Sequence, residues 1–132
     1  MIVRTFEELQ GTERAVKGEG FVSTRYLLKD DKMGYTVSEG RTEAGFDMVA
    51  EYKHHLESCY IIEGKGTLEN LETGEVHDLV PGVFYASDKK ERHRFHVEEA
   101  MRLICVFNPA LVGSELHDEH GAYAPAPESG GS

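Results

Sequence analysis

Short runs of apolar residues, separated by polar turns at close intervals, dominate this chain. Runs rich in β-branched and aromatic residues at 21–28 and 35–41 predict strands. Residues two apart in a strand share a face, so Ser23 and Arg25 are expected to point the same way. Seven later runs also predict strands: 47–52, 57–62, 66–71, 76–80, 83–86, 94–97 and 101–107.

Turn and cap signals divide these runs. Thr5 and Glu8 form a capping-box pattern, and Gly11 lies where a short helix would end. The segments Glu72-Thr73-Gly74 and Pro81-Gly82 are typical of tight turns between strands. Many short strands with one short N-terminal helix predict an all-β fold, a small sandwich or jelly-roll-like barrel.

Length and composition restrict the number of domains, the partners and the location that we expect for this protein. The 132 residues are enough for one domain with one core, expected over 1–123, and the Pro-, Gly- and Ser-rich segment 124–132 is expected to be disordered. The net charge of −10 argues against nucleic acid as a partner. The absence of an apolar leader or a long apolar run predicts a cytoplasmic protein that is not embedded in a membrane.

Cys59 and Cys105 both fall in apolar, strand-like runs. A cytoplasmic protein keeps its thiols reduced, and cysteine behaves as a small apolar residue in a core. The sequence therefore predicts two buried free thiols in preference to a disulfide.

Three side chains on three predicted strands could meet at the mouth of a barrel: Glu57, Tyr85 and His93. A carboxylate, a phenolate and an imidazole form a hard-to-borderline ligand set that suits iron. The same residues also fit a surface carboxylate, a wall aromatic and a solvated hairpin histidine. His55 shares a face with Glu57 in an extended chain, which makes it a candidate for substrate contact.

The region from Gly45 to Gly64 resembles the first motif of the cupin superfamily. Gly45, Glu57 and Gly64 are in register with that motif, whereas Glu51 and Lys53 stand where it usually has two histidine ligands. Of the second cupin motif only the Pro81-Gly82 turn is kept. An ordinary cupin metal site is therefore not supported.

One cupin family departs in the same way and resembles residues 1 to about 123: the ectoine synthases. The matching segments include Ser23-Thr24-Arg25-Tyr26-Leu27-Leu28, Tyr52-Lys53-His54-His55-Leu56-Glu57, Arg92-His93-Arg94, 101–109 and 113–123. The resemblance implies a dimeric, iron-dependent hydro-lyase of the cytoplasm. Such an enzyme closes N4-acetyl-L-2,4-diaminobutanoate into the compatible solute ectoine, which protects cells under osmotic stress, and releases water.

The resemblance also implies site residues. The family's Fe(2+) ligands fall on Glu57, Tyr85 and His93. We expect Arg25 to bind the substrate carboxylate, Glu115 to contact the substrate amine and accept its proton, and His117 to assist it. Tyr52 and Phe107 are expected to line the cavity, Tyr52 with a catalytic role. The substrate-binding set is Arg25, Ser38, Gly40, Tyr52, His55, Phe107, Glu115 and His117.

The substrate wall differs from the family pattern. Phe21, Ser38 and Gly40 stand where the family often has Trp, His or Asn, and Thr. Two explanations remain: a divergent ectoine synthase, or a metal-binding cupin that acts on, or merely binds, a related N-acylated diamino acid. An iron-dependent dioxygenase is the third hypothesis, disfavoured because the first motif lacks the histidines that such enzymes place on their metal.

Overall fold

Eight antiparallel strands in one sheet account for most of the structure. Of the 132 residues, the computed structural model describes 1–113. The strands are β1 (Ala15–Gly18), β2 (Phe21–Leu27), β3 (Thr36–Thr42), β4 (Asp47–Ala50), β5 (Leu56–Asn70), β6 (Val76–Leu79), β7 (Phe84–Ala86) and β8 (His93–Asn108).

The sheet runs in the order β1-β2-β3-β8-β5-β6, with β4 paired to β8 and β7 paired to β5. The long strands β5 and β8 pair along almost their whole length. The all-β fold predicted from the sequence is confirmed, as is the short N-terminal helix α1 (Phe6–Leu9), which the Thr5 hydroxyl caps by accepting from the Glu8 N–H.

A sharp bend in the β5–β8 pair closes the sheet toward a barrel. In this pair Glu57 lies opposite Phe107, and Asn70 lies opposite His93. A straight strand would separate residues 57 and 70 by about 43 Å. Instead, His93 Nε2 lies 3.7 Å from Glu57 Oε1. The two ends of one strand pair therefore meet on the concave side.

Glycine makes the bend possible. The register shifts between Ile61 and Gly66, and Gly64 adopts a φ of +96°. A Cβ at Gly64 would lie 2.3 Å from the Ala100 carbonyl oxygen, and one at Gly66 would lie 2.2 Å from the His96 carbonyl oxygen. Only glycine allows β5 and β8 to approach this closely.

Two apolar clusters hold the sheet closed. The larger one joins β5 and β8 with β6 beneath the bend, and its fully buried members include Ile61, Leu79 and Val97. The second cluster packs Tyr52 and Phe107 with Leu28, Ala50 and Leu111. Both clusters adjoin the concave side of the sheet, where the candidate site lies.

The segment before the sheet is anchored by one carboxylate. Asp31 lies in a single turn of 3-10 helix (Lys29–Asp31) and accepts hydrogen bonds from Arg4, Arg14 and the Leu28 N–H. Burial opposes ionisation of Asp31, but these donors outweigh it and hold the pKa of the carboxyl well below its usual range. Within residues 1–113 no helix has the length and apolarity needed to cross a membrane.

The structure differs from the sequence prediction at three places. The predicted strands 57–62 and 66–71 are one strand, β5, and the predicted strands 94–97 and 101–107 are one strand, β8. Glycines and charged residues at the bend resemble turn signals, although the backbone continues through them. Strand β1 was not predicted, because its short sequence has little apolar alternation.

Candidate functional site

A cavity of about 420 Å³ opens on the concave side of the sheet. Volumes of this order are typical of sites that take small molecules. Its wall is mostly apolar and carries a few polar groups. The wall residues predicted from the sequence are Phe21, Arg25, Ser38, Gly40, Tyr52, Glu57, Tyr85, His93 and Phe107.

One row of residues crosses five strands and organises the cavity wall. Arg25 pairs with Ser38, Ser38 with Cys105, Cys105 with Cys59, and Cys59 with Tyr85. Directly paired residues of adjacent strands project from the same face of a sheet. The row therefore runs from the guanidinium of Arg25 at one end to the two thiols and the phenol of Tyr85 at the other.

Glu57 and His93 meet inside the cavity. The Glu57 side chain is 8% exposed and that of His93 is 6% exposed. Among the described residues, none forms a hydrogen bond with Glu57 Oε1. His93 Nδ1 lies 2.9 Å from the Glu91 carbonyl oxygen, which can only accept, so Nδ1 carries the proton. His93 Nε2 is then left with a lone pair directed toward Glu57.

The acidic groups around this point are shifted toward their neutral forms. Burial raises the pKa of Glu57 to about 7, against a smaller opposing effect of a hydrogen bond with Cys59. Burial, with the nearby Cys59 and Glu57, also raises the pKa of the Tyr85 hydroxyl well above its usual value. Removal from water disfavours each anion, and a nearby cation would reverse these shifts.

The donor set fits a divalent metal ion. Glu57 has an oxygen with no hydrogen-bond partner in the described structure, and the tautomer of His93 leaves Nε2 available. The rings of Tyr85 and His93 lie 6.3 Å apart, so the phenol reaches the same region. One carboxylate, one imidazole and one phenolate suit iron among the common metals.

Arg25 provides the positive charge of the cavity. It is 2% exposed, and it donates from Nε to Ser23 Oγ (3.0 Å) and from one terminal nitrogen to the Gly113 carbonyl oxygen (3.2 Å). Both acceptors are neutral. A carboxylate in the cavity would therefore compensate a buried charge and accept a paired hydrogen bond from the guanidinium.

Tyr52 and Phe107 form an aromatic wall beside His93. Their rings lie 5.3 Å apart in an edge-to-face arrangement, and Tyr52 lies 6.2 Å from the His93 ring. His55 is buried beside Phe107, with ring centroids 6.2 Å apart, and is not among the cavity-lining residues. Its predicted contact with substrate stays a prediction.

Ser38 and Gly40 lie on β3 and line the cavity. Gly40 faces Leu103, and a Cβ at this position would come within 3.2 Å of Leu103 Cδ2. The wall is therefore already close-packed there, and any larger residue would need Leu103 to move. Glu115 and His117 lie outside the described residues, as do the predicted domain boundary at 123 and the tail.

Two features of the site were not anticipated from the sequence. Asp47 lines the cavity and accepts hydrogen bonds from Arg94 and His96. Cys59 and Cys105 are free thiols, as predicted, but Cys105 is only half-buried and lines the cavity, with the Cys59 sulfur next to its own. The pairing register of β5 and β8 would have revealed the thiol pair, but the spacing of residues in the sequence does not give that register.

Comparison with known proteins gives a consistent result over the whole chain. A protein-family model described as ectoine synthase matches residues 1–127. An L-ectoine synthase of Mycobacteroides abscessus is 47% identical over 127 residues, covering 96% of this chain and 98% of that protein. The crystal structure of an ectoine synthase from P. lautus is 39% identical and superposes with a TM-score of 0.86, covering 100% of this chain and 96% of that one.

More distant structures share the fold. An RmlC-like cupin from Shewanella frigidimarina is 16% identical and superposes with a TM-score of 0.65, covering 81% of this chain and 89% of that one. At this identity the likeness concerns the fold alone. The cupin-type barrel expected from the sequence is thereby confirmed.

Proposed function

We propose, given that this chain belongs to the ectoine synthase family, that it closes N4-acetyl-L-2,4-diaminobutanoate into ectoine with loss of water. In this reaction the substrate amine attacks the carbonyl carbon of the acetamide group. A carbon–nitrogen bond forms, and the carbonyl oxygen leaves as water with the two protons of the amine.

One observation carries the proposal. Within a cavity that also contains Arg25, the Glu57 carboxylate lies 3.7 Å from a histidine nitrogen and has an oxygen without a hydrogen-bond partner in the described structure. Buried carboxylates are normally satisfied, so this unpartnered oxygen supports the proposal that a cation binds here. A cation at one end and an arginine at the other match a substrate with an amide at one end and a carboxylate at the other.

We propose that Glu57, Tyr85 and His93 hold Fe(2+). When bound there, the ion supplies Lewis acidity to an amide oxygen, which is otherwise a poor electrophile. The buried Glu57 and the oriented His93 ring keep the ligand atoms in place before the metal arrives, and Glu91 fixes the histidine tautomer.

The remaining groups bind and fold the substrate. Arg25 would pair with the carboxylate and anchor one end of the chain. Tyr52 and Phe107 would contact the methylene groups and exclude water, with Phe107 3% exposed and Tyr52 2% exposed. An acyclic substrate held folded in this way brings its amine to its own carbonyl group, which removes much of the entropic cost of ring closure.

Proton transfer is assigned to the C-terminal segment. The amine attacks only in its neutral form, so an acceptor must take its proton. We propose Glu115 as the acceptor with His117 beside it, and Tyr52 as a further polar group at the reacting atoms. Arg25 binds the carbonyl of Gly113, two residues before Glu115, which supports a link between this segment and the cavity.

We further propose a cytoplasmic homodimer that makes ectoine under osmotic stress. Several large apolar residues are exposed on β5, β6 and β7, among them Tyr60 at 49% and Phe84 at 61%. These two residues are direct partners in the sheet and form one apolar area. A second copy of the chain would cover such a surface.

The test of the activity is a direct assay. Purified, anaerobically iron-loaded protein is incubated with N4-acetyl-L-2,4-diaminobutanoate, and proton NMR follows the ring signals of ectoine. We expect ring signals that grow with protein concentration. Folded, iron-bound protein that yields no product would overturn the proposal. The control substrate is 2,4-diaminobutanoate, which lacks the acetyl carbonyl and should give nothing.

A second candidate substrate follows from the wall at β3. Ser38 carries a small side chain where it lines the cavity, and Gly40 carries none. Because Leu103 already packs at Gly40, the Ser38 side of this wall is the part that would accept an acyl group longer than acetyl on the same diamino acid. Competition between N4-acetyl and N4-propionyl substrates in the NMR assay distinguishes the two, because a preference for the propionyl compound would reassign the natural substrate.

A further inference from the structure

Two thiols lie side by side at the cavity, with Cys105 in its wall and Cys59 buried next to Cys105. Cys59 on β5 and Cys105 on β8 are direct partners in the sheet, and their sulfur atoms are 3.3 Å apart. Cys59 is 1% exposed, whereas Cys105 is half-buried and lines the cavity. The pair therefore has one side against the core and one side open to the cavity.

A carboxylate completes this group. Glu57 lies two residues before Cys59 on the same strand, and two-residue spacing places both side chains on one face. An oxygen of Glu57 and the two sulfur atoms all lie within 4.8 Å of one another. Oxygen Oε1 of Glu57 has no hydrogen-bond partner among the described residues, so this carboxylate retains a binding position that a cation would satisfy.

The chemistry of this donor set differs from that of Glu57, Tyr85 and His93. Two sulfur ligands favour thiophilic ions such as zinc, cadmium or cobalt. Zinc–sulfur bonds of about 2.3 Å in tetrahedral geometry place two sulfur atoms about 3.8 Å apart. The observed 3.3 Å requires the side chains to separate by only a few tenths of an ångström.

We propose that Glu57, Cys59 and Cys105 form a second metal site, which takes thiophilic divalent ions of the zinc class and leaves one coordination position open to the cavity. Binding converts both thiols to thiolates, and their two protons pass to solvent. Glu57 belongs to both donor sets. An ion held by the two sulfurs therefore withdraws this carboxylate from the iron site.

One consequence rests on the proposed function. If iron at Glu57, Tyr85 and His93 supports cyclisation, a zinc-class ion at the thiol pair inhibits it by competing for Glu57. The binding site itself does not depend on the reaction, since its ligands are defined by the contacts of Glu57, Cys59 and Cys105 alone.

The direct test is cobalt titration of the metal-free protein. Cobalt bound to thiolate sulfur gives an intense charge-transfer absorption that oxygen and nitrogen ligands do not give. We expect this band to saturate at one ion per chain in the wild type. It should be lost in Cys59→Ser and Cys105→Ser, with cobalt affinity weaker by at least about 100-fold.

The matched control is His93→Gln. This variant removes a ligand of the predicted iron site and leaves both sulfurs in place, so the charge-transfer band should persist. Absence of the band in the wild type, or its persistence in both cysteine variants, would overturn the second site. So would a band that disappears in His93→Gln while both cysteine variants keep it.

A second measurement does not need the variants to fold. Metal-free wild-type protein is treated with an alkylating reagent, with and without zinc, and the intact mass counts the modified cysteines. Zinc should slow modification of Cys105, the thiol that lines the cavity, by at least about tenfold. Equal rates with and without zinc would contradict the site.

Activity separates the two proposals. Competition at Glu57 is supported if zinc suppresses turnover of the wild type and suppresses turnover of Cys59→Ser by a smaller fraction. A cobalt–thiolate band in a protein that makes no ectoine would overturn the proposed function and leave the thiol site standing.

Discussion

At the scale of single residues, the candidate site depends on side chains held by one or two specific partners. The Glu91 carbonyl selects the tautomer of His93, and burial keeps Glu57 close to His93 Nε2. The sequence could predict Glu57, Tyr85 and His93 as a set because Glu57 and Tyr85 lie in separate predicted strands and His93 directly precedes a third. It could not predict the pairing of Cys59 with Cys105, because register is a property of the folded sheet.

Arg25 gives the first test at this scale. Arg25→Lys keeps a positive charge but loses the planar, two-pronged hydrogen bonding that suits a carboxylate. We expect KM for the substrate to rise by about 10- to 100-fold, or about 1.4 to 2.7 kcal/mol, with a smaller change in kcat. Arg41→Lys, which does not line the cavity, is the control and should leave KM unchanged. An unchanged KM in Arg25→Lys would remove Arg25 from substrate binding.

Asp31 gives a test of stability. Asp31→Asn removes charge-assisted hydrogen bonds to Arg4 and Arg14, and we expect it to lower the free energy of unfolding by about 1–3 kcal/mol at neutral pH. Asp30→Asn is the matched control, because Asp30 is adjacent and exposed. Urea unfolding followed by circular dichroism measures both variants.

The pH dependence of this effect has a defined sign. The pKa of Asp31 is lower in the folded protein than the value of about 3.9 in an unfolded chain. The stabilisation by Asp31 is therefore fully present at neutral pH and is lost as the pH falls below about 5. The stability gap between the wild type and Asp31→Asn should narrow on acidification. A gap that stays constant down to pH of about 3 would contradict this account.

At the scale of elements, the bend in β5 and β8 creates the site. The sequence predicted the strands on either side of the bend correctly, from their β-branched and aromatic runs. Its pattern predicts a break between residues 62 and 66, whereas Gly64 and Gly66 keep the two strands paired through the bend. Sequence patterns identify where glycine permits an unusual backbone, but not whether the chain stops or turns there.

Gly64 tests the importance of the bend. In Gly64→Ala the new methyl group would overlap the backbone of Ala100 and Met101, and the residue would keep a φ of +96°. We expect a loss of at least about 3 kcal/mol in the free energy of unfolding. Gly74→Ala is the control, since its φ is +82° and no atom lies within 4 Å of the added Cβ. It should lose only about 1 kcal/mol, and equal losses in the two variants would refute the steric argument.

At the scale of the whole molecule, the exposed aromatic residues on β5 and β7 bear on assembly. A single chain has a mass of 14.8 kDa, and we expect light scattering to give about twice this value in solution. Phe84→Asp places a charge in the apolar area that Phe84 shares with Tyr60, and should shift the protein toward monomer. Glu75→Asp on the neighbouring turn is the control, and a wild type that runs as a monomer would exclude the dimer.

The proposed cyclisation depends on iron in the cavity, and one titration tests that dependence most directly. Metal-free protein receives increasing equivalents of Fe(2+) under anaerobic conditions, and proton NMR measures the rate at which N4-acetyl-L-2,4-diaminobutanoate becomes ectoine. We expect no product without metal, a rate that rises linearly and levels off at one iron per chain, and a loss of at least about 100-fold in His93→Gln. Cyclisation at full rate in the metal-free protein, or in iron-treated His93→Gln, would contradict the account.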